Sequence, residues 1–358
     1  MTETIYRNRR AIQLDNGLLR VTVLVEGGHV AEILDHASRM NPLWTPPWPS
    51  IEPSTYDPER HPEYGRDAES RLLAGIMGHN LCLDIFGPPS EDEAAAGLTV
   101  HGEASIVPYR FELEGSELLA KAELPEARLR VERRLRLSAG ARVVEFTESV
   151  ENVSATDRPI AWTQHVTLGP PFLAKGQTLF RASATRSKVY ESEFAPGHDY
   201  LAEGAEFDWP QAPRKDGGTA DLQVFTGAPA SGAFTTHLMD PGREQAYFLA
   251  WSPECRLAFG YVWRQADFPW MGIWEENHSR SSPPWNGRTL TRGMEFGVSP
   301  MPETRREMIA RAEMFGTPTF RWLGARSRIQ VRYCAFLLPA ASAPEEAVWE
   351  GGASVRLR

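Results

Sequence analysis

Apolar and polar residues alternate with a period of two along much of this chain. Leu19, Val21 and Val23 alternate with Arg20 and Thr22 and run into Gly27-Gly28, the pattern of a strand entering a turn. Leu129, Val131, Leu135 and Leu137 alternate with Arg128, Arg130, Glu132, Arg134 and Arg136, which predicts an antiparallel strand with one solvated face. Similar runs predict strands over 141–150, 159–168, 221–226, 245–251, 256–264, 288–298 and 328–337. Helical signals are short. Ser90 followed by Glu93 makes a capping box ahead of an alanine run, and Pro302 precedes a second short helix ending at Gly316. The stretch 41–70, rich in Pro, Tyr, Trp and charge, reads as a long ordered loop and a candidate wall of a binding site. No repeat or linker divides the chain. The pattern predicts one all-β domain over residues 1–358, built of large antiparallel sheets with a few short helices.

Composition narrows the function classes. Forty-seven acidic residues against 38 basic give a formal net charge of −9, with no basic stripe, which argues against a nucleic-acid partner. No run approaches the ~18–20 apolar residues of a membrane-spanning helix. The first residues are basic without an apolar stretch behind them, so no secretory signal is expected. Cys82, Cys255 and Cys334 are far apart and odd in number, as expected of reduced thiols in a cytoplasmic protein. Dinucleotide, P-loop, zincin and serine-hydrolase motifs are absent.

Three segments place ionisable groups on one parity and apolar residues on the other. In 97–105, Thr99, His101, Glu103 and Ser105 oppose Leu98, Val100 and Ala104. In 160–169, Thr163, His165 and Thr167 oppose Trp162, Gln164 and Leu168. In 293–299, Glu295 stands between Gly293 and Gly297, opposite Met294, Phe296 and Val298, and the glycines leave room for something to approach the carboxylate. Two imidazoles and carboxylates on a polar sheet face suit proton transfer. A fourth segment, 267–285, gathers Trp270, Trp274 and Trp285 with Glu275, Glu276 and His278, and aromatic faces beside polar groups suit sugars. His79 and Asn80 add a polar pair after Gly78. The same His79, His101, Glu103 and His165 are also suitable donors for a divalent ion, although their spacing forms no compact ligand motif.

These segments, in this order, resemble the galactose mutarotase (aldose 1-epimerase) superfamily. LDNGLLRVTVLVEGGHVAEILD resembles its opening strands, GLTVHGEAS its first His-Gly motif, IAWTQHVTLG the strand with its second histidine, and TRGMEFGVSPMPE the late strand with its glutamate. The family's Asn-Arg pair before the first histidine is replaced by His79-Asn80, and its substrate-gripping aspartate has no clear match beyond Asp208.

The resemblance implies a β-supersandwich and interconversion of the α and β anomers of a free aldose by acid–base ring opening, with no cofactor and no metal. It assigns Glu295 as base, His165 as acid and His101 as a donor holding substrate. His79, Asn80, Glu103, Asp208, Trp274 and Glu276 are the expected substrate-binding groups, with Glu103 able to fix the His101 tautomer. An imidazolium acid at His165 also requires a carboxylate or developing charge nearby. The implied partner is a monosaccharide or small carbohydrate. The scarcity of clustered Lys and Arg near the motifs argues against a sugar phosphate, although Arg280 and Arg288 keep one open. The alternative is a carbohydrate-binding or sensing domain on the same scaffold without turnover; the scaffold also occurs within polysaccharide-processing enzymes.

Overall fold

Alternation along the strands sorts the side chains into two layers. The computed structural model describes all 358 residues and contains two large antiparallel sheets. The larger has twelve strands. Its order from one edge is Thr2–Tyr6, Arg9–Asp15, Leu19–Leu24, Val30–Asp35, His79–Asp84, Arg158–Leu168, Leu290–Gly297, Trp270–Asn277, Ser231–Met239, Ala184–Val189 and Glu206–Asp208, with Arg321–Leu323 pairing the start of Arg158–Leu168. The smaller has eight: Leu179–Ala182, Gln245–Ser252, Leu257–Arg264, Arg328–Pro339, Val143–Asn152, Leu129–Leu137, Glu117–Leu124 and Arg110–Glu114. The apolar parity of both sheets meets in a core of 50 buried residues, among them Trp162, Val166, Met294 and Phe296 of the larger sheet and Phe146, Tyr261 and Tyr333 of the smaller. Burial on this scale is the main force holding the sandwich together.

The other face of the larger sheet is roofed by loops. Trp44, Trp48, Tyr64, Leu72 and Leu73 pack there on Cys82, Ala161, Phe234 and Trp274 of the sheet in a second cluster of 15 buried residues. The segment 41–70 is indeed without strands, carrying two short 3-10 turns, Pro53–Thr55 and Pro62–Tyr64. No helix is long and apolar enough to cross a membrane.

Four local expectations change. Residues 97–105 alternate but form no strand: His101 and Gly102 take φ of +71° and +78°, and a 3-10 turn follows at Glu103–Ser105. Residues 221–226 do not continue the Thr219–Asp221 strand, because the Asp221 carboxylate accepts from the Gln223 amide at 2.9 Å and bends the chain into a turn at Leu222 and Gln223. The late helix is only Arg305–Arg311, capped by the Thr304–Glu307 box instead of starting at Pro302, and Ala312 at φ +57° ends it ahead of a small hairpin. Finally, the charged strand Leu129–Leu137 sends Arg133 inward.

Arg133 lies between the sheets and pairs with Glu148, both essentially buried. Glu148 also accepts from Trp162 Nε1 and Gln164 Nε2, each at 2.6 Å. Gln164 Oε1 accepts from Arg133, from Tyr333 and from His79 Nε2 at 2.9 Å, which leaves His79 Nδ1 to accept from the Tyr261 hydroxyl. Every partner is satisfied within the protein, as a buried charge requires. Removing one member strands the other. Glu148→Ala is expected to lower unfolding stability in urea by about 3–5 kcal/mol; a loss below about 1 kcal/mol would show that Arg133 finds water or another partner.

Candidate functional site

Strand register assembles one transverse row on the loop-covered face. Asn80, His165, Glu295, Gly272 and Thr236 stand directly opposite one another on five neighbouring strands. Directly paired residues have side chains close enough to interact. His165 Nε2 lies 3.1 Å from Glu295 Oε1, an ion-pair approach, yet the angle is not that of a hydrogen bond and Glu295 Oε1 has no aligned partner. His165 Nδ1 is 3.0 Å from the Thr167 hydroxyl. His101 reaches the same place from its turn, with its ring centroid 4.9 Å from that of His165. Its unusual backbone is held by Leu83 N donating to His101 O and by His101 N donating to Gly87 O. A non-glycine residue kept at positive φ is a mark of local constraint.

Glycines make room for the carboxyl. A Cβ on Gly293 would sit 2.3 Å from Glu295 Oε1, and one on Gly272 would sit 2.7 Å from the Phe234 ring and 3.5 Å from Glu295 Oε2. The room beside Glu295 is therefore taken up by its own side chain. Eight buried side-chain polar atoms have no partner, and five belong to Asn80, Thr163, Thr236, Trp274 and Glu295. All five sit on the central strands of this face. Buried unpaired polar groups are rare in folded proteins, and their concentration here marks a place built for something other than stability.

Above the row lies a cavity of about 320 Å³, at the small end of the range for small-molecule sites. Phe86, Tyr190, Phe194, Phe234, Trp274 and Trp285 give it apolar walls, and Glu69, Glu193, Arg280, His101, His165 and Glu295 give it polar groups. Trp44 and Trp48 pack on Trp285, ring centroids 6.1 and 5.1 Å away, so the 41–70 loop supports the wall from behind and contributes only Glu69 to the lining.

Burial dominates the electrostatics. It raises the Glu295 carboxyl well above its usual range. It lowers His165 well below its usual range, helped by the neighbouring His101, and it lowers His101 to about 4, with the Arg280 charge acting in the same direction. The carboxylate expected beside His165 is present as Glu295, but burial pushes both groups toward their neutral forms. For His101 the geometry fixes the tautomer. Nδ1 is 2.6 Å from the Phe86 carbonyl, which can only accept, so Nδ1 carries the proton and Nε2 of the neutral ring is an acceptor.

The remaining expected site residues scatter. Trp274 lines the cavity. Asn80 lies in the row beside His165, fully buried, with Nδ2 donating to Ser105 Oγ at 3.0 Å. His79, one residue earlier, faces the sandwich interior, because adjacent strand residues point to opposite faces. Glu103 is turned away and accepts from the Ala127 amide at 2.8 Å; the Phe86 carbonyl, not Glu103, holds the His101 ring. Asp208 is exposed on an edge strand opposite Arg186. Glu276 accepts from Ser279 N and Oγ and from Arg280 N, so it shapes the turn beneath Arg280 without lining the cavity. With His79 and Glu103 directed elsewhere, the four residues considered for a metal do not form a donor set. Glu69, Glu193 and the Phe86–Tyr190–Phe194–Phe234 wall carry no sequence signal, since they come from irregular loops and from three separate strand neighbourhoods.

No protein-family model matches the sequence, and no curated protein matches it. Solved structures do. A candidate aldose 1-epimerase from Klebsiella pneumoniae superposes with a TM-score of 0.68 at 14% identity, over 93% of this chain and 80% of that one. A galactose mutarotase-like protein from Clostridium acetobutylicum gives 0.59 at 12% identity, over 94% and 98%. A galactose mutarotase-like protein from Lactobacillus casei gives 0.56 at 13%, over 92% and 100%. At such identities the likeness concerns the fold, which is the galactose mutarotase-like sandwich.

The His101 environment is directly measurable. Nitrogen-15 NMR at neutral pH is expected to show a neutral Nδ1–H tautomer that becomes charged only near pH 4. A titration near the unperturbed value of about 6.5, or an Nε2–H tautomer, would contradict the assignment of His101 as an acceptor.

Proposed function

We propose that this protein interconverts the α and β anomers of a free aldose by acid–base ring opening. The observation that carries this reading is the His165–Glu295 approach of 3.1 Å at the base of a cavity with aromatic walls. Ring opening needs a base to take the proton of the O1 hydroxyl and an acid to protonate the ring oxygen. The C1–O5 bond breaks as the C1–O1 double bond forms. Rotation about C1–C2 and reclosure with the proton transfers reversed give the other anomer. One carboxyl and one imidazole supply both transfers and are restored at the end of each cycle.

His165 and Glu295 hold one proton between them in this scheme. With the proton on His165, Glu295 is the base and His165 the acid. Burial by the surrounding protein pushes toward the alternative, with Glu295 protonated and His165 neutral. Sugar hydroxyls packed against the carboxylate supply the hydrogen bonds that solvent would otherwise give it and bring the ionised pair within reach. His101 Nε2 accepts from a sugar hydroxyl, and Trp274 and Trp285 offer faces to the apolar side of the ring. Structural neighbours, a candidate aldose 1-epimerase and a galactose mutarotase-like protein, agree with this reading at the level of fold.

Polarimetry on freshly dissolved α-anomers tests it. The protein is expected to speed equilibration, and Glu295→Gln is expected to lose ~100-fold or more of that rate, as for removal of a general acid–base group. Rates equal to buffer across a broad aldose panel, with calorimetry still showing sugar affinity that Glu295→Gln leaves intact, would identify a binding domain instead.

A further inference from the structure

We propose that Glu69 sets the charge selectivity of the cavity, so that it admits uncharged aldoses and turns away aldoses bearing a carboxylate or phosphate. The proposal rests on the sugar-binding reading above and names the substrate class of the same site.

Arg280 is the only lysine or arginine that lines the cavity. An unshared guanidinium there would invite an anionic substituent, since its fork matches carboxylate and phosphate oxygens. It is not unshared. Arg280 Nη1 lies 3.5 Å from Glu69 Oε1 and Arg280 Nε lies 3.6 Å from Glu276 Oε2. Its planar group rests over Trp285 at 4.8 Å and Trp274 at 5.6 Å, which holds it against the wall. One cation paired with two carboxylates leaves its surroundings with no surplus positive charge. A pyranose with only hydroxyls meets both donors and acceptors there, whereas an anion meets a guanidinium already in use and like charges beside it.

The two carboxylates nearest Arg280 differ in what else they do. Glu276 is committed to the Ser279–Arg280 turn through three hydrogen bonds. The Glu69 carboxylate comes from the 41–70 loop and its ion-pair partner is Arg280. Neutralising Glu69 therefore removes one of the two carboxylates paired with Arg280, leaving part of its charge unshared toward the cavity, without dismantling the turn. A like charge removed from a partly buried site within several ångströms of a bound anion changes affinity by ~10-fold or more.

Binding can be read from the fluorescence of Trp274 and Trp285, independently of turnover. The probes are D-glucose, D-galactose and D-mannose, each compared with its hexuronate. The parent protein is expected to bind at least one neutral hexose ~10-fold or more tighter than the matching uronate. Glu69→Gln is expected to shrink that ratio ~10-fold, Glu69→Asp to keep it, and Glu69→Gln combined with Arg280→Gln to restore it. Equal affinity of the parent for hexose and uronate, or a ratio unchanged by Glu69→Gln, overturns this proposal while leaving the anomer-interchange reading standing. Failure of the parent to bind either class overturns both.

Discussion

A carboxyl and an imidazole, each nearly buried at the base of the cavity, stand 3.1 Å apart on adjacent strands, and much of the structure serves to keep them so. Burying either group in its charged form carries a desolvation cost, and burying both together makes one shared proton the economical state. Desolvation pushes the Glu295 carboxyl up and the His165 imidazole down, both toward the neutral pair. Gly293 and Gly272 allow the carboxyl to lie against the sheet, and Trp44 and Trp48 back Trp285 in the wall of the cavity it faces.

The Arg158–Leu168 strand links this pair to the rest of the molecule. Its two faces do different work. Gln164 joins the buried Arg133–Glu148 network between the sheets, and His165 looks the other way into the cavity. The network fixes the strand by hydrogen bonds that have no alternative partners, so the imidazole sits on a backbone with little freedom to shift. Such backing from rigid elements is what a proton-transfer geometry requires.

What the sequence made legible follows the same division. Period-two patterns over 160–169 and 293–299 placed His165 and Glu295 on the face opposite Trp162 and Phe296, because strand parity is a local property. His101 was singled out by an alternation that belongs to a turn; its position depends on the backbone of Leu83 and Gly87, which no local pattern encodes. His79 was misplaced for the complementary reason: it and Asn80 are adjacent in sequence but occupy opposite faces of one strand. Glu103, Asp208 and Glu276 are polar residues near the motifs whose carboxylates face a backbone amide, an exposed edge and a turn, respectively. Glu69 and the aromatic walls depend on where irregular loops cross the sheet, which only the assembled structure reveals. Arg133 shares the parity of Leu129, Val131 and Leu135, so its inward direction follows from the alternation, whereas its partner Glu148 on the neighbouring strand does not.

Infrared difference spectroscopy of the ligand-free protein against Glu295→Gln reads the shared proton directly. At neutral pH the account predicts a protonated carboxylic-acid carbonyl band in the parent that is missing in the variant, with the imidazole of His165 neutral. A difference confined to ionised-carboxylate bands would contradict it, placing the negative charge on Glu295 and requiring a source of stabilisation that the present arrangement of side chains does not provide.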